Sequence, residues 1–383
     1  MAPAAFAGHG MHEPVWFWQT MVSPHMAGLA AALAARGTDV TYVARQPLSV
    51  DRAALGWIVP SLGRARLCLA PDRAAVEALV ATAPADSRHI CQGLRGNGLV
   101  RVAQNAIARR GLTHWVVMET VQERGRLSAF VKRLEYRRLL YRWRHRLAGI
   151  LATGYRTPDW LAQRGMPPER IFQFAYFLPD GPSADLPLEP PSAPRYRVLF
   201  VGMFVELKRL NQLIEALAAL RDVADVELCV VGSGPLEAEW RALAERLLPG
   251  RFTWLGRLRQ DEVAPVMAEA DCLVLPSRHD GWGAVISEAL MAGTSVICSD
   301  RCGAAGVVEL SGRGGVFRAG DVAALTRLLE REIAVGRHSS AQRAALARWA
   351  RCLGAAAGAE YLSEILGWQP GADRPLPPWQ APR

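Results

Sequence analysis

The chain has 383 residues, half of them apolar, with 45 Lys and Arg against 36 Asp and Glu. That length exceeds one ordinary core and predicts roughly two domains of about 150–200 residues each, while the mixture of apolar and charged residues excludes a disordered chain. No apolar run reaches the roughly 20 residues of a membrane span, and the N-terminus lacks the charged and then apolar pattern of a secretion signal, so a cytoplasmic protein is expected.

In chain order, PVWFWQTMV reads as a strand, HMAGLAAALAARG as a helix stopped by Gly37, and DVTYVA as a second strand. RHICQGL, THWVVM and LAGILAT are further strand candidates, and GLRGNG reads as a helix-start turn. The proline-rich stretch from Asp180 to Arg197 predicts a stiff connector. Beyond it, YRVLFVG, VELCVVG, FTWLG, DCLVLP and TSVICS are strands separated by helical stretches. Residues 340–366 predict a long helix able to pack across both domains, and the Pro-rich tail is expected on a surface or frayed. Alternating strands and helices predict an α/β fold of two doubly wound parallel sheets facing across a cleft. The expected division is 1–185, a linker at 186–196, a second domain at 197–350, and a final helix and tail at 351–383 returning toward the first domain.

Charge is uneven between the halves. Residues 1–190 hold 23 basic and 14 acidic side chains, whereas residues 191–383 hold 22 of each. The whole excess sits in the first half, which implies that one domain faces something anionic. The seven cysteines include no CxxC and predict reduced thiols; Cys298 and Cys302 have no partners at zinc spacing, so no metal site is expected.

Doubly wound sheets bind ligands beyond the carboxyl ends of their strands. Four loops of the second half fall there. In VGMFVELKRLNQLIEAL the strand ends at Gly202, and Lys208 and Arg209 are expected to open a helix. Cations oppose the dipole at a helix start, and make sense there when they share an anion such as phosphate with the free amides; a solvated pair of cations is the plainer alternative. Lys208 is one of two lysines in the chain. In VVGSGPLEAEW, Ser233 and Gly234 lie in a tight turn before a helix begun by Pro235, with or without a ligand. Arg257 and Leu258 leave the next strand, before Asp261 caps a helix, and could read a flat base edge. In LVLPSRHDGWGAVISEALMAG, Asp280 stands before Gly281, Trp282 and Gly283, where glycines would open the amides to a ligand, and Glu288 lies in the following helix. Each acid can accept two hydrogen bonds from a vicinal diol. Two such acids, with cations and amides between them, describe a nucleotide-sugar site.

In the first half, Ser23 and His25 open the first helix on the cleft side and are candidates for acceptor or phosphate contact. Glu119 ends the strand THWVVM, either as a capping carboxylate or as a cleft group. His114 is expected at the strand's other end, away from the cleft.

The second half resembles retaining glycosyltransferases of family 4 (glycosyltransferase group 1), strongly from Arg197 to about Gly314 and loosely before that. The pattern is acid, Gly, aromatic, Gly and a second acid eight residues after the first: here Asp280, Gly281, Trp282, Gly283 and Glu288. The resemblance implies the GT-B fold, a nucleotide-sugar donor such as a UDP- or GDP-sugar, and no cofactor. It implies that Glu288 binds the donor ribose, Asp280 the sugar hydroxyls and Lys208 the diphosphate. It also implies that Glu119 faces the reacting sugar, making Glu119 and Asp280 the catalytic candidates. The acceptor hydroxyl would attack from the face the nucleotide leaves, with the donor phosphate taking its proton. No DxD-like cluster is present to hold a metal. Two departures stand out: the first acid is Asp where Glu is usual, and Met203 occupies a place often held by Arg.

The stretch from Arg124 to Arg146 carries nine Arg and Lys and one acid, interleaved with Leu127, Phe130, Val131, Leu134, Leu139, Leu140 and Trp143, whose spacings of three and four put much of that apolar set on one side of a helix. It predicts either an internal helix with snorkelling arginines or a surface for an anionic membrane, suiting a glycan or lipid-linked acceptor; a polyanionic acceptor is the other source of the charge excess. Among competing functions, an epimerase on the same fold remains open. A phosphorylase needs a pyridoxal lysine that neither Lys132 nor Lys208 suits. A nucleic-acid binder would leave the paired acids unexplained, so no nucleic-acid partner is expected.

Overall fold

The computed structural model describes residues 13–49, 58–122, 125–180, 194–222 and 224–381; most of the expected connector lies outside them. Thirteen strands form two sheets. The first contains β1 (Val15–Met21), β2 (Val40–Gln46), β3 (Arg66–Leu69), β4 (Arg88–Gln92), β5 (Thr113–Glu119), β6 (Gly149–Thr153) and β7 (Ile171–Phe174). Its order is 3-2-1-4-5-6-7, and every pairing is parallel. The second contains β8 (Tyr196–Val201), β9 (Val226–Val231), β10 (Phe252–Gly256), β11 (Cys272–Leu275), β12 (Ser295–Ser299) and β13 (Gly314–Phe317), in the order 10-9-8-11-12-13, again all parallel.

Parallel strands covered by helices on both faces read as unbroken apolar runs. All residues of β6, β11 and β12 are buried. The strands absent from the sequence reading lack that signature. β3 is mostly exposed, β7 interrupts its apolar residues with Gln173, and β13 begins with two glycines. In each sheet the order reverses beside its first strand, at β1/β4 and at β8/β11, and these switch points open the crevice that a ligand can enter.

Two crossings join the domains. The long helix expected over 340–366 is two helices, Ser340–Ala350 and Ala355–Gly367, separated by a short turn and Gly354 in extended conformation. The first packs on the second-domain helix Ala284–Met291, and the second packs on the helix Pro24–Ala35. Gly354 is required there, because a Cβ would lie 1.9 Å from Asp180 Oδ1. Around it, Leu178 N–H donates to Leu353 O at 3.1 Å and Ala355 N–H donates to Leu178 O at 2.7 Å. The tail is not frayed. Trp379 is buried between Phe177 of the first domain and Trp282 of the second, with ring centroids 6.1 Å from each.

Candidate functional site

The site assembles at the two switch points. After β8, residues Glu206–Lys208 form one 3-10 turn and the helix begins at Leu210, so Lys208 lies before the helix and not in it. Arg209 is its N-cap at φ 54, the one non-glycine residue with positive φ among the described residues. That conformation costs about 1 kcal/mol, offset by Leu210, Leu213 and Ile214 burying the face that follows. The turn delivers Lys208 Nζ to Asp280 Oδ2 at 2.5 Å. Asp280 is itself fixed by backbone: its N–H donates to Arg301 O and its carbonyl accepts from Gly303 N–H, both at 3.0 Å.

The first domain meets this pair with Glu119, at the end of β5. A Cβ on Gly281 would lie 1.7 Å from Glu119 Oε2, so Gly281 is glycine because the carboxylate occupies that space. The space expected for a ligand beside Gly281 is thus held by Glu119 in this structure. The Tyr176 hydroxyl donates to Glu119 Oε2 at 3.2 Å, and its ring stacks on His25 at 4.8 Å and 15°. His25, Tyr176 and Glu119 form one chain of contacts, and the Lys208–Asp280 pair stands close enough across the cleft to act on the Glu119 carboxyl electrostatically. Burial, and then the charge of Asp280, hold the Glu119 carboxyl above the usual carboxylate range, against the opposing effects of the Tyr176 hydrogen bond and Lys208. Ser23 precedes the first helix as expected; its hydroxyl makes no cap, and its N–H donates to Tyr42 Oη at 3.3 Å.

Trp282 is a core side chain, with Nε1 donating to Ser287 Oγ at 3.0 Å, so only its backbone can serve a ligand. Gly283 adopts φ +86, where a side chain would be strained. Among the described residues, the amides of Gly281, Trp282 and Gly283 donate to no protein acceptor. Glu288 follows in the helix Ala284–Met291. Its carboxylate makes no hydrogen bond or ion pair among the described residues, and burial pushes it up to about 7. The side chain is half-buried, with some access to water, and an unpartnered carboxylate in such a place is costly; hydroxyl donors from a ligand would relieve that cost.

At the other end, Arg257 Nε and Nη2 donate to Ser233 Oγ at 3.2 and 3.0 Å, joining the loops after β10 and β9. The glycines here serve packing between loops: a Cβ on Gly232 would meet Gly202 O at 1.9 Å, and one on Gly234 would meet Phe204 O at 2.6 Å. The helix after Pro235 starts at Glu237, not at the proline. Leu258 is partly buried, and Arg259, not Asp261, is the N-cap of the next helix. His114 is fully buried at the start of β5, and burial pulls it down to about 4. Sequence reasoning missed Tyr176 and His279; Tyr176 sits just past a short strand with no motif around it. Burial holds the His279 imidazole below its ordinary value.

Residues 189–345 match the model of glycosyl transferases group 1. That match is confined to the second domain, which is similar to the group 1 glycosyl transferases. The chain is 39% identical over 99 residues to the 2-deoxystreptamine glucosyltransferase of Streptomyces kanamyceticus, covering 25% of this chain and 26% of that protein. It is 32% identical over 138 residues to the lipopolysaccharide core biosynthesis glycosyltransferase LpsE of Rhizobium meliloti, covering 36% and 39%. The chain thus spans between a quarter and two fifths of the length of these relatives. Over most of its length it has the GT-B fold: Anabaena Alr3699/HepE, solved in complex with UDP, superposes with a TM-score of 0.70 at 16% identity, covering 92% of this chain and 99% of that one.

Proposed function

We propose that the chain is a retaining, metal-independent glycosyltransferase of family 4. It moves a sugar from a nucleotide-diphospho-sugar to a glycan or lipid-linked acceptor in cell-surface polysaccharide or glycoconjugate synthesis. The observation that carries this reading is Glu288, a half-buried carboxylate with no hydrogen-bond or ion-pair partner among the described residues, on the helix that begins beside the Lys208–Asp280 pair. Glu288 accepts the ribose hydroxyls, Asp280 those of the transferred sugar, and Lys208, Arg209 and the amides of Trp282 and Gly283 stabilise the leaving diphosphate. Gly202 lets the phosphates approach the β8 loop; Ser233, Gly234, Arg257 and Leu258 hold the base end. Glu119 faces the reacting sugar, and Ser23 and His25 stand on the acceptor side. The acceptor hydroxyl attacks from the face the diphosphate leaves and gives its proton to the departing phosphate, so the protein's work is positioning and charge stabilisation.

The helix Gly125–Trp143 supports a membrane-surface location. Tyr136, Leu140 and Trp143 form a buried stripe. Leu127 and Phe130, 78% and 65% exposed, form a second stripe with Val131 and Leu134 on the opposite side. This corrects the expectation of one apolar side that included Leu140 and Trp143. An apolar stripe facing solvent, with Arg133, Arg137, Arg138 and Arg142 exposed on the same helix, suits the interface of an anionic bilayer.

The reading is tested by a thermal-shift panel of UDP-, GDP- and ADP-sugars. One base is expected to raise the melting temperature of the wild type and not of Lys208→Met. No response to any nucleotide sugar at millimolar concentration would overturn it. Retention is then checked by the anomeric configuration of the product.

A further inference from the structure

The cleft between the domains is lined by cations from both halves of the chain. It encloses about 1330 Å³. Its first-domain walls include Gln122, Ala129 and Trp160; its second-domain walls include Leu207, His279 and Arg301. Ser233, Arg257 and Glu288 are not among them, so this space lies apart from the nucleotide end of the site proposed above.

Three guanidinium groups line the cleft, each from a loop beyond the carboxyl end of a strand: Arg156 after β6, Arg278 after β11 and Arg301 after β12. They have one carboxylate to share. Arg156 Nη2 lies 3.2 Å from Asp300 Oδ2, across the domain junction, and Arg301 Nε lies 3.8 Å from Asp300 Oδ1. Arg278 makes no ion pair among the described residues. Its position is nevertheless fixed, because its N–H donates to Leu207 O at 2.8 Å. Asp159 and Glu206 also line the cleft, both exposed and neither paired with these arginines. Further cations stand close by: Arg301, Lys132 and Lys208 all act to lower the His279 pKa, against Asp280 alone raising it.

The arrangement is ordered relative to the reaction centre. Arg278 lies two residues before Asp280, and Arg301 is joined to Asp280 through the backbone hydrogen bond from Asp280 N–H to Arg301 O. Two exposed arginines are therefore carried on backbone adjoining Asp280, the carboxylate assigned to the transferred sugar. Arginine forks bind phosphate oxygens in pairs, which favours a phosphate ester at this place. The helix Gly125–Trp143 puts Gly125 and Ala129 on the cleft while its apolar stripe faces outward, so a phosphate in the cleft lies beside the surface assigned to lipid.

We propose that Arg278 and Arg301 form an anion subsite in the interdomain cleft that selects an acceptor bearing a phosphate ester close to the hydroxyl it presents. This rests on the glycosyltransferase reading and names its acceptor class. The test is calorimetric titration of protein saturated with the nucleoside diphosphate found in the panel. The probes are glucose, glucose 1-phosphate, and farnesyl phosphate in phosphatidylcholine vesicles. The phosphate esters are expected to bind and glucose is not. Binding by farnesyl phosphate alone assigns the lipid-linked source, and binding by both assigns phosphate itself. In the double variant Arg278→Gln, Arg301→Gln, affinity for the phosphate esters is expected to fall at least tenfold with nucleotide affinity unchanged. Both residues are exposed, so the fold should persist, as circular dichroism would show. Unchanged phosphate binding in the double variant, or loss of nucleotide binding with it, overturns the subsite. If no nucleotide binds the wild type, the glycosyltransferase reading falls instead, and the same titrations in a Lys208→Met background still test the two arginines.

Discussion

Replacing Glu288 by Gln should make the free protein more stable and a poorer binder of nucleotide. The unfolded carboxyl ionises near 4.5 and the folded one near 7. Between those values the folded chain binds more protons than the unfolded chain, so stability falls as pH rises through the window. Below it the carboxyl is neutral in both states and nothing is lost; above it the full penalty applies. At about 1.4 kcal/mol per pH step the gap amounts to about 3 kcal/mol, less where water still reaches the carboxylate. Glutamine keeps the shape and removes the charge. At pH 8 the variant should therefore melt about 5 °C above the wild type, with the two curves converging near pH 4.5. Ligand reverses the order. A nucleoside diphosphate at 100 times its dissociation constant adds about 2.7 kcal/mol to the wild type. The Gln carbonyl cannot replace both carboxylate oxygens, a loss of about 1–3 kcal/mol, so most of that gain should vanish. The assay is differential scanning fluorimetry across pH, with and without nucleotide. A variant that melts no higher than wild type at pH 8, or that gains as much from nucleotide, refutes the reasoning.

Lys208→Met should weaken a nucleoside diphosphate at least tenfold, consistent with a charged hydrogen bond of about 1.5–3 kcal/mol, while leaving the bare nucleoside unaffected; equal weakening in equilibrium titration would make the lysine structural. Gly281→Ala should force the Glu119 carboxylate out of its place, at little cost in stability because the flexible end of the side chain can swing aside. Because the clash lies between domains, the transfer rate should fall more than tenfold with the far-UV spectrum intact, and an unchanged rate would remove Glu119 from the site. Exchanging Arg137, Arg138, Arg142 and Arg144 for Gln should reduce sedimentation with anionic liposomes at low salt, at about 1 kcal/mol per cation; undiminished sedimentation would dismiss the membrane surface.

The second domain was largely legible because its strands are continuous apolar runs and its loops bear glycines and acids at fixed spacing. Asp280, Lys208 and Glu288 could be named from that spacing. What it could not reveal was why each residue is there. Gly281 looked like an opening for a ligand, yet its missing Cβ makes room for Glu119, which lies 162 positions earlier in the chain. Gly234 reads as part of a tight turn with or without a ligand, and its need for glycine comes from Phe204. Tyr176 joins the site only through the pairing of β6 with β7, a long-range contact without local signal. β3 and β13 escaped for a related reason: an exposed edge and a glycine pair carry little strand propensity. The apolar positions of residues 127–143 suggested one stripe because spacing records angle on a helix, not which side meets the protein.

The two connections between the domains run side by side. Leu178 and Asp180, on the outgoing strand of chain, are bonded to Leu353, Ala355 and Ala356 on the returning one. Two adjacent strips fastened to each other behave as a flexure: they bend readily about one axis and resist twist and shear. Opening of the cleft is thereby reduced to a single rotation. Trp379 lies wedged between the halves near this flexure, so the last turn of the chain rides on the moving joint, and a label fixed there would report each cycle of opening.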